Sequence, residues 1–271
     1  MKTLLTRALS ALVAVILVCL FVYYGINGLR LLILLSVTLS IREGARLFFP
    51  DEAPGILQFC FVILTLALLV FGTCQPEWLA VGYGVGFVIF MALCLFFQKQ
   101  FKGLEPLVRF QTRAAVGFFY LGLLPTFAMR ILDIRNGEIW FIALMTVVFA
   151  GDTMAYLIGW KFGRHLLMPS VSPKKTVEGA FGGLLGSALA GFIFHYFLPH
   201  IPLVALLGLA ILSGIAGQVG DLFESLLKRV ANQKDSGSLM PGHGGALDRI
   251  DGVLFAAPFM FAGASLLEKW F

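Results

Sequence analysis

The segment GQVGDLFESLLKR sets Gln218, Asp221, Glu224, Ser225 and Lys228 at helical spacing. On a helix these side chains share one stripe, with Val219, Leu222 and Leu226 opposite. Ionisable side chains on an otherwise apolar helix are costly at membrane depth unless they line a watery cavity or bind something. A solvated helix end with a Glu224–Lys228 pair is the plainer alternative, and this segment alone does not choose between the two.

The stretch KDSGSLMPGHGGALDRID follows, from Lys234 to Asp251. Gly242, Gly244 and Gly245 around His243 leave the backbone free to turn tightly and to aim N–H groups at an anion. Asp248 and Asp251 bracket Arg249. With Asp221 they form a set of carboxylates accompanied by Lys228, Arg229, Lys234 and Arg249. Mg²⁺ takes a few carboxylate oxygens together with phosphate oxygens, and basic side chains hold the rest of a polyphosphate. Acids, bases and glycines in this pattern are what a magnesium–nucleotide site needs. His243 is read as a hydrogen-bond donor to phosphate or as a loop-shaping residue rather than a general base, and Ser225, without a base and orienting acid, as a binding or packing residue.

The chain that must position these residues has 271 residues, of which 59% are hydrophobic and 13% charged. An average globular chain is about 45–50% apolar and about 25% charged. So few charges could not cover so much apolar surface in water, and disorder needs the opposite balance. A membrane span needs about 20 mostly apolar residues. Nine candidates centre on Val15, Leu35, Leu64, Val88, Leu121, Val147, Leu189, Leu209 and Phe259, with Pro125 expected to kink the fifth. The expected fold is all-α: a polytopic integral membrane protein of about nine transmembrane helices with a polar active site on the cytoplasmic side. If the N-terminus is cytoplasmic, Arg30, Arg130, Arg135 and Lys269 are the only Lys and Arg outside, out of 20. That asymmetry follows the positive-inside rule. Residues 1–135 are expected to form an N-terminal helical membrane region of about five spans. Residues 136–271 are expected to form the catalytic membrane region. The four cysteines read as small buried hydrophobes rather than a disulfide or metal framework, and no nucleic-acid-binding pattern is present.

From Ser225 to Asp251 the sequence SLLKRVANQKDSGSLMPGHGGALDRID closely resembles the signature of phosphatidate cytidylyltransferases, the CDP-diacylglycerol synthases. Ala246 departs from it, standing where that family usually has a larger apolar residue. A second stretch, from Asp152 through AYLIGWKFGRH to SPKKTVEGAFGG, resembles the same family. Read from its residues, Asp152 is an intramembrane carboxylate, hence a functional candidate or a helix-to-helix hydrogen-bond donor or acceptor. Thr176 is placed to cap the seventh span, with Glu178 in its first turn. Lys174 and Lys175 are either phosphate ligands or anchors to acidic lipid.

The resemblance implies transfer of a cytidylyl group from CTP to phosphatidic acid, giving CDP-diacylglycerol and pyrophosphate in phospholipid biosynthesis. It implies Mg²⁺ on Asp221, Asp248 and Asp251, and leaves room for a second, monovalent cation. Asp221, Asp248, Lys228 and Arg249 become the expected catalytic set. Asp152, Ser172, Lys174, Lys175, Thr176, Glu178, Ser225, Arg229, Lys234, Asp235, His243, Gly244 and Gly245 become the expected substrate-binding set. The implied setting is a bacterial inner membrane with the site facing the cytoplasm, and the implied assembly is a homodimer. The competing readings are a CTP-dependent kinase of a polyprenol-like alcohol, a cation transporter or channel, and a purely structural membrane subunit. Charge gathered at one face, rather than spread through several spans, argues against the transporter.

Overall fold

The computed structural model describes residues 16–49, 54–237 and 244–271. In chain order its helices are α1 (Gly25–Phe48), α2 (Gly55–Cys74), α3 (Leu79–Phe96), α4 (Leu104–Gly117), α5 (Leu124–Ile131), α6 (Gly137–Phe162), α7 (Val177–Phe194), α8 (Leu203–Val230) and α9 (Leu247–Trp270). Among the described residues, seven helical segments are long and apolar enough to cross a membrane. They coincide with the third to ninth candidates of the sequence. The second candidate falls in α1, and the centre of the first, Val15, lies outside the described residues. The protein is an all-helical, polytopic integral membrane protein.

One departure from an all-helical chain is a small antiparallel hairpin. Strand β1 (Leu166–Met168) pairs with β2 (Ser172–Thr176), Leu166 opposite Thr176 and Met168 opposite Ser172, with an irregularity in register between them. Pro125 also acts in a particular way. Residues Phe118–Leu123 form a π-helical stretch between α4 and α5, immediately before the proline. A wider helical turn is a known means of absorbing such a break in the backbone ladder. The four cysteines are free, and only Cys94 is fully buried; Cys19 and Cys74 lie exposed on apolar surface.

The chain divides into two compact units. One comprises the described residues of Met1–Thr126 together with those of Val230–Asp248. Its core is aromatic: Phe61 stacks edge-on against Phe49 at 5.1 Å, and Phe90 meets Phe118 at 4.9 Å. The other comprises Phe127–Arg229 and Arg249–Phe271. In this second unit α6 and α7 approach so closely that a Cβ on Gly151 would stand 2.8 Å from Ser187 Oγ, and one on Gly179 would stand 2.8 Å from the Ala155 carbonyl oxygen. Small residues at four-residue spacing thus serve close helix packing, as their spacing suggests. Ser187 completes the contact by donating to the Val147 carbonyl at 3.1 Å.

Candidate functional site

Close α6–α7 packing brings Asp152 on α6 beside the end of the hairpin that leads into α7. Thr176 ends β2 and caps α7, its hydroxyl accepting the Gly179 N–H at 3.1 Å. Gln218 on α8 donates to the Ala180 carbonyl at 3.1 Å, which ties α8 to the same place. The result is a cavity of about 550 Å³ within the second unit. Asp152, Lys174, Lys175, Thr176, Gln218 and Asp221 supply its polar lining; Tyr156, Trp160, Leu167 and Leu222 supply apolar lining.

Lys175 and Asp221 form an ion pair inside this cavity. Asp152 and Asp221 are near enough to interact by charge, and so are Asp251 and Asp221. Lys175 and Arg249 act on Asp152, and Lys228 acts on Asp251. Three acids and three bases therefore share one electrostatic neighbourhood, drawn from α6, β2, α8 and α9. Asp251 is buried and accepts the N–H of Gly252 at 2.8 Å.

The polar stripe of α8 divides its tasks. Gln218 and Asp221 face the cavity. Ser225 approaches Asp221 at 3.4 Å. Glu224 is paired with Lys228 as the plainer alternative expects, but it is fully buried rather than on a solvated helix end, while Gln218 and Asp221, one turn or more earlier, line the cavity.

The hairpin is held at three points. Glu178 accepts the backbone N–H groups of Arg164 and His165 at 3.1 and 3.2 Å and lies 2.6 Å from the His165 ring. Arg229 donates to the Val171 carbonyl at 3.1 Å. Lys175 reaches Asp221. Ser172 opens β2. Glu178 and Arg229 thus shape the hairpin that presents Lys174 and Lys175.

Asp248, Gly244, Gly245, Lys234 and Asp235 belong to the first unit. Asp248 Oδ2 accepts from Gly245 N–H at 2.7 Å, Ser236 N–H at 3.0 Å and Ser236 Oγ at 2.9 Å, which closes the motif loop on the start of α9. Gly244 holds φ at +83°, a left-handed conformation that suits glycine. Lys234 and Asp235 are exposed. His243 and Gly242 lie outside the described residues. Glu43 of α1 reaches this loop as well, and no reading of the motifs pointed to it. Its signal was faint: a carboxylate in SIREGARLF, one residue before Gly44, on the side of the helix where Ser40 and Leu47 are buried.

Among the described residues, no group of three or more His, Cys, Asp or Glu side chains stands in a geometry that would hold a metal alone. Asp221 nevertheless fits Mg²⁺ by its chemistry. It offers hard carboxylate oxygens to an open cavity, beside a lysine that can exchange its partner for phosphate. Mg²⁺ rarely takes an all-protein cage and fills its remaining positions with water and substrate phosphate.

A family model described as the cytidylyltransferase family matches residues 5–267. The chain belongs to the cytidylyltransferase family. Its similar relatives include a phosphatidate cytidylyltransferase of Bacillus subtilis strain 168, 39% identical over 157 residues, which is 57% of this chain and 57% of the relative. One from Staphylococcus epidermidis strain RP62A is 29% identical over 94% of this chain and 96% of its own length. One from Staphylococcus aureus strain COL is 44% identical over 42% of this chain and 44% of its own length. The cavity is lined by residues of the Asp152–Gly183 stretch and by Gln218, Asp221 and Leu222 of α8, just before the Ser225–Asp251 signature.

Proposed function

We propose that this cytidylyltransferase is a phosphatidate cytidylyltransferase, converting CTP and phosphatidic acid to CDP-diacylglycerol and pyrophosphate. The observation that carries this reading is the mixed lining of the cavity. Its polar residues, with Lys174, Lys175 and Asp221, suit phosphates; its apolar residues, with Tyr156, Trp160, Leu167 and Leu222, suit a lipid. A substrate pair of one triphosphate and one phospholipid needs both.

A lipid phosphate oxygen attacks the α-phosphorus of CTP in line. One P–O bond forms, the bond to the β-phosphate oxygen breaks, and pyrophosphate leaves. No covalent enzyme intermediate is needed, so rate acceleration comes from positioning and charge neutralisation. Lys175 is already poised at the centre of the acidic cluster and exchanges Asp221 for a phosphate oxygen. Lys174, Lys228 and Arg249 neutralise the triphosphate and the departing pyrophosphate. Arg229 and Glu178 hold the hairpin in place while Lys174 and Lys175 do so. Asp221, with Asp248 and Asp251 of the motif, are the carboxylates assigned to Mg²⁺; when bound, the ion offsets charge developing on the phosphates.

The lopsided distribution of Lys and Arg supports a cytoplasmic face for this site, in a bacterial inner membrane, where CTP is available while acyl chains stay in the bilayer. The family resemblance is what supports a homodimer, since the small-residue faces of α7 and α8 pack within the chain.

The test uses purified protein in detergent, Mg²⁺, phosphatidic acid, a polyprenol, and CTP labelled at either the α- or the γ-phosphate. Label entering lipid from α-labelled CTP alone is the expected result. Label from γ-labelled CTP alone would make the protein a lipid kinase, and label from neither would reopen transport or structural roles.

A further inference from the structure

The first unit contains a buried carboxylate that the proposed reaction does not use. Glu43 is 8% exposed, on α1. Its Oε2 accepts the backbone N–H of Leu247 at 2.9 Å and the hydroxyl of Ser236 at 3.2 Å. Leu247 is the first residue of α9, and its N–H is one of the donors that a helix start leaves without an intrahelical partner. Glu43 therefore caps α9 from a distant part of the chain, with its negative charge at the positive end of the helix.

Ser236 links this cap to the motif. It is 2% exposed. Its hydroxyl stands 2.9 Å from Asp248 Oδ2 and accepts the Asp248 N–H at 3.3 Å. One small side chain thus sits between Glu43 and Asp248 and is in contact with both. The surrounding glycines make room for the arrangement. A Cβ on Gly245 would stand 2.6 Å from the Glu43 carboxyl carbon, and one on Gly237 would stand 2.5 Å from it. Two motif glycines therefore lack side chains where the Glu43 carboxylate enters. A buried carboxylate is costly unless its oxygens are hydrogen-bonded, so the contact is specific to this loop conformation.

We infer that Glu43 is a positioning residue for the motif loop: acting through Ser236 and the Leu247 N–H, it sets the orientation of Asp248 at the start of α9. This inference rests on the cytidylyl-transfer reading, in which Asp248 is a metal-assigned carboxylate. Small displacements of such groups have large kinetic effects.

The experiment compares full-length wild type, Glu43→Ala, Glu43→Gln and Ser236→Ala in detergent. It measures amide hydrogen exchange over residues 244–250, and the steady-state dependence of transfer on Mg²⁺, CTP and phosphatidic acid. In Glu43→Ala, exchange in 244–250 accelerates while α7 stays protected. The half-saturating Mg²⁺ and the KM for CTP rise about tenfold, with the KM for phosphatidic acid unchanged. Glu43→Gln recovers most of the loss, because its amide oxygen takes the place of Oε2 and still accepts from the Leu247 N–H. Ser236→Ala keeps the Leu247 bond and is the gentler variant; it raises the same two constants should Glu43→Ala fail to fold. A lower Vmax with unchanged KM values and unchanged Mg²⁺ dependence would show a role in stability only and overturn the proposal, as would unaltered exchange in 244–250. A wild type that transfers no cytidylyl group would instead retire the reading of the site, and the exchange measurement would then decide on its own whether Glu43 orders the loop.

Discussion

Two acidic side chains of the second unit, Glu268 and Asp221, are built into their surroundings differently. Glu268 has a side chain only 4% exposed. It accepts from Asn136 at 3.0 Å and from the Trp140 indole N–H at 2.8 Å, with His200 at 3.3 Å and Arg135 at 3.7 Å. Its closest partners are neutral donors fixed by packing, and Trp140 itself is buried. Asp221 is 31% exposed, borders a cavity, and takes as partner a lysine on a hairpin. The Glu268 cluster is anchored by the buried Trp140 indole, a donor that has nowhere else to go, so it holds helix ends together. The Asp221 cluster is closed by a charge that a phosphate could redirect, so it can bind. Burial of a carboxylate does not by itself mark a functional site; the exchangeability of its partners does.

Substitutions at the two clusters should separate activity from stability. The largest expected effect is at Asp221. Asp221→Asn keeps shape and removes charge, and should lower cytidylyl transfer by about 10³-fold or more, with the thermal midpoint little changed. Radiolabel transfer read beside a melting curve checks both, and full activity would remove Asp221 from the metal assignment. Lys175→Ala should cost about 10- to 100-fold, chiefly in KM for CTP, and Lys175→Arg should recover part of it. A loss confined to stability would make the pair structural, like that of Glu268. Glu268→Ala should do the reverse. Leaving the buried Trp140 donor without an acceptor should cost about 1–3 kcal/mol in stability, seen as a lower thermal midpoint, while kcat/KM of the folded fraction stays at the wild-type value. The smallest effect is expected from Thr176→Val, which removes the α7 cap for about 1 kcal/mol and should reduce activity only severalfold; hydrogen exchange at Gly179 would report the loss.

The elements differ in how readable they were. The third to ninth candidate spans were visible as apolar runs because a bilayer imposes length and composition on each helix separately. The Thr176 cap was visible because a cap is a local rule. The hairpin between α6 and α7 was not, because SPKKT carries no strand alternation; it is held by Glu178 and Arg229 reaching it from elsewhere and by its own Lys175 reaching Asp221. The stripe on α8 was legible as polar, yet only packing separated Asp221, at the cavity, from Glu224, in a buried pair.

Membrane class, the helical runs and the cytidylyltransferase signature are properties of composition and short-range order, and these the chain displays along its own length. Which carboxylate binds and which only braces depends on partners far away in sequence. Lys175 meets Asp221, Glu268 meets Asn136, and Glu43 meets a loop 193 residues further on. Those pairings arise only when the glycine faces of α6 and α7 close and the aromatic core of the first unit forms, because a side chain's chemistry is set by the atoms packed against it.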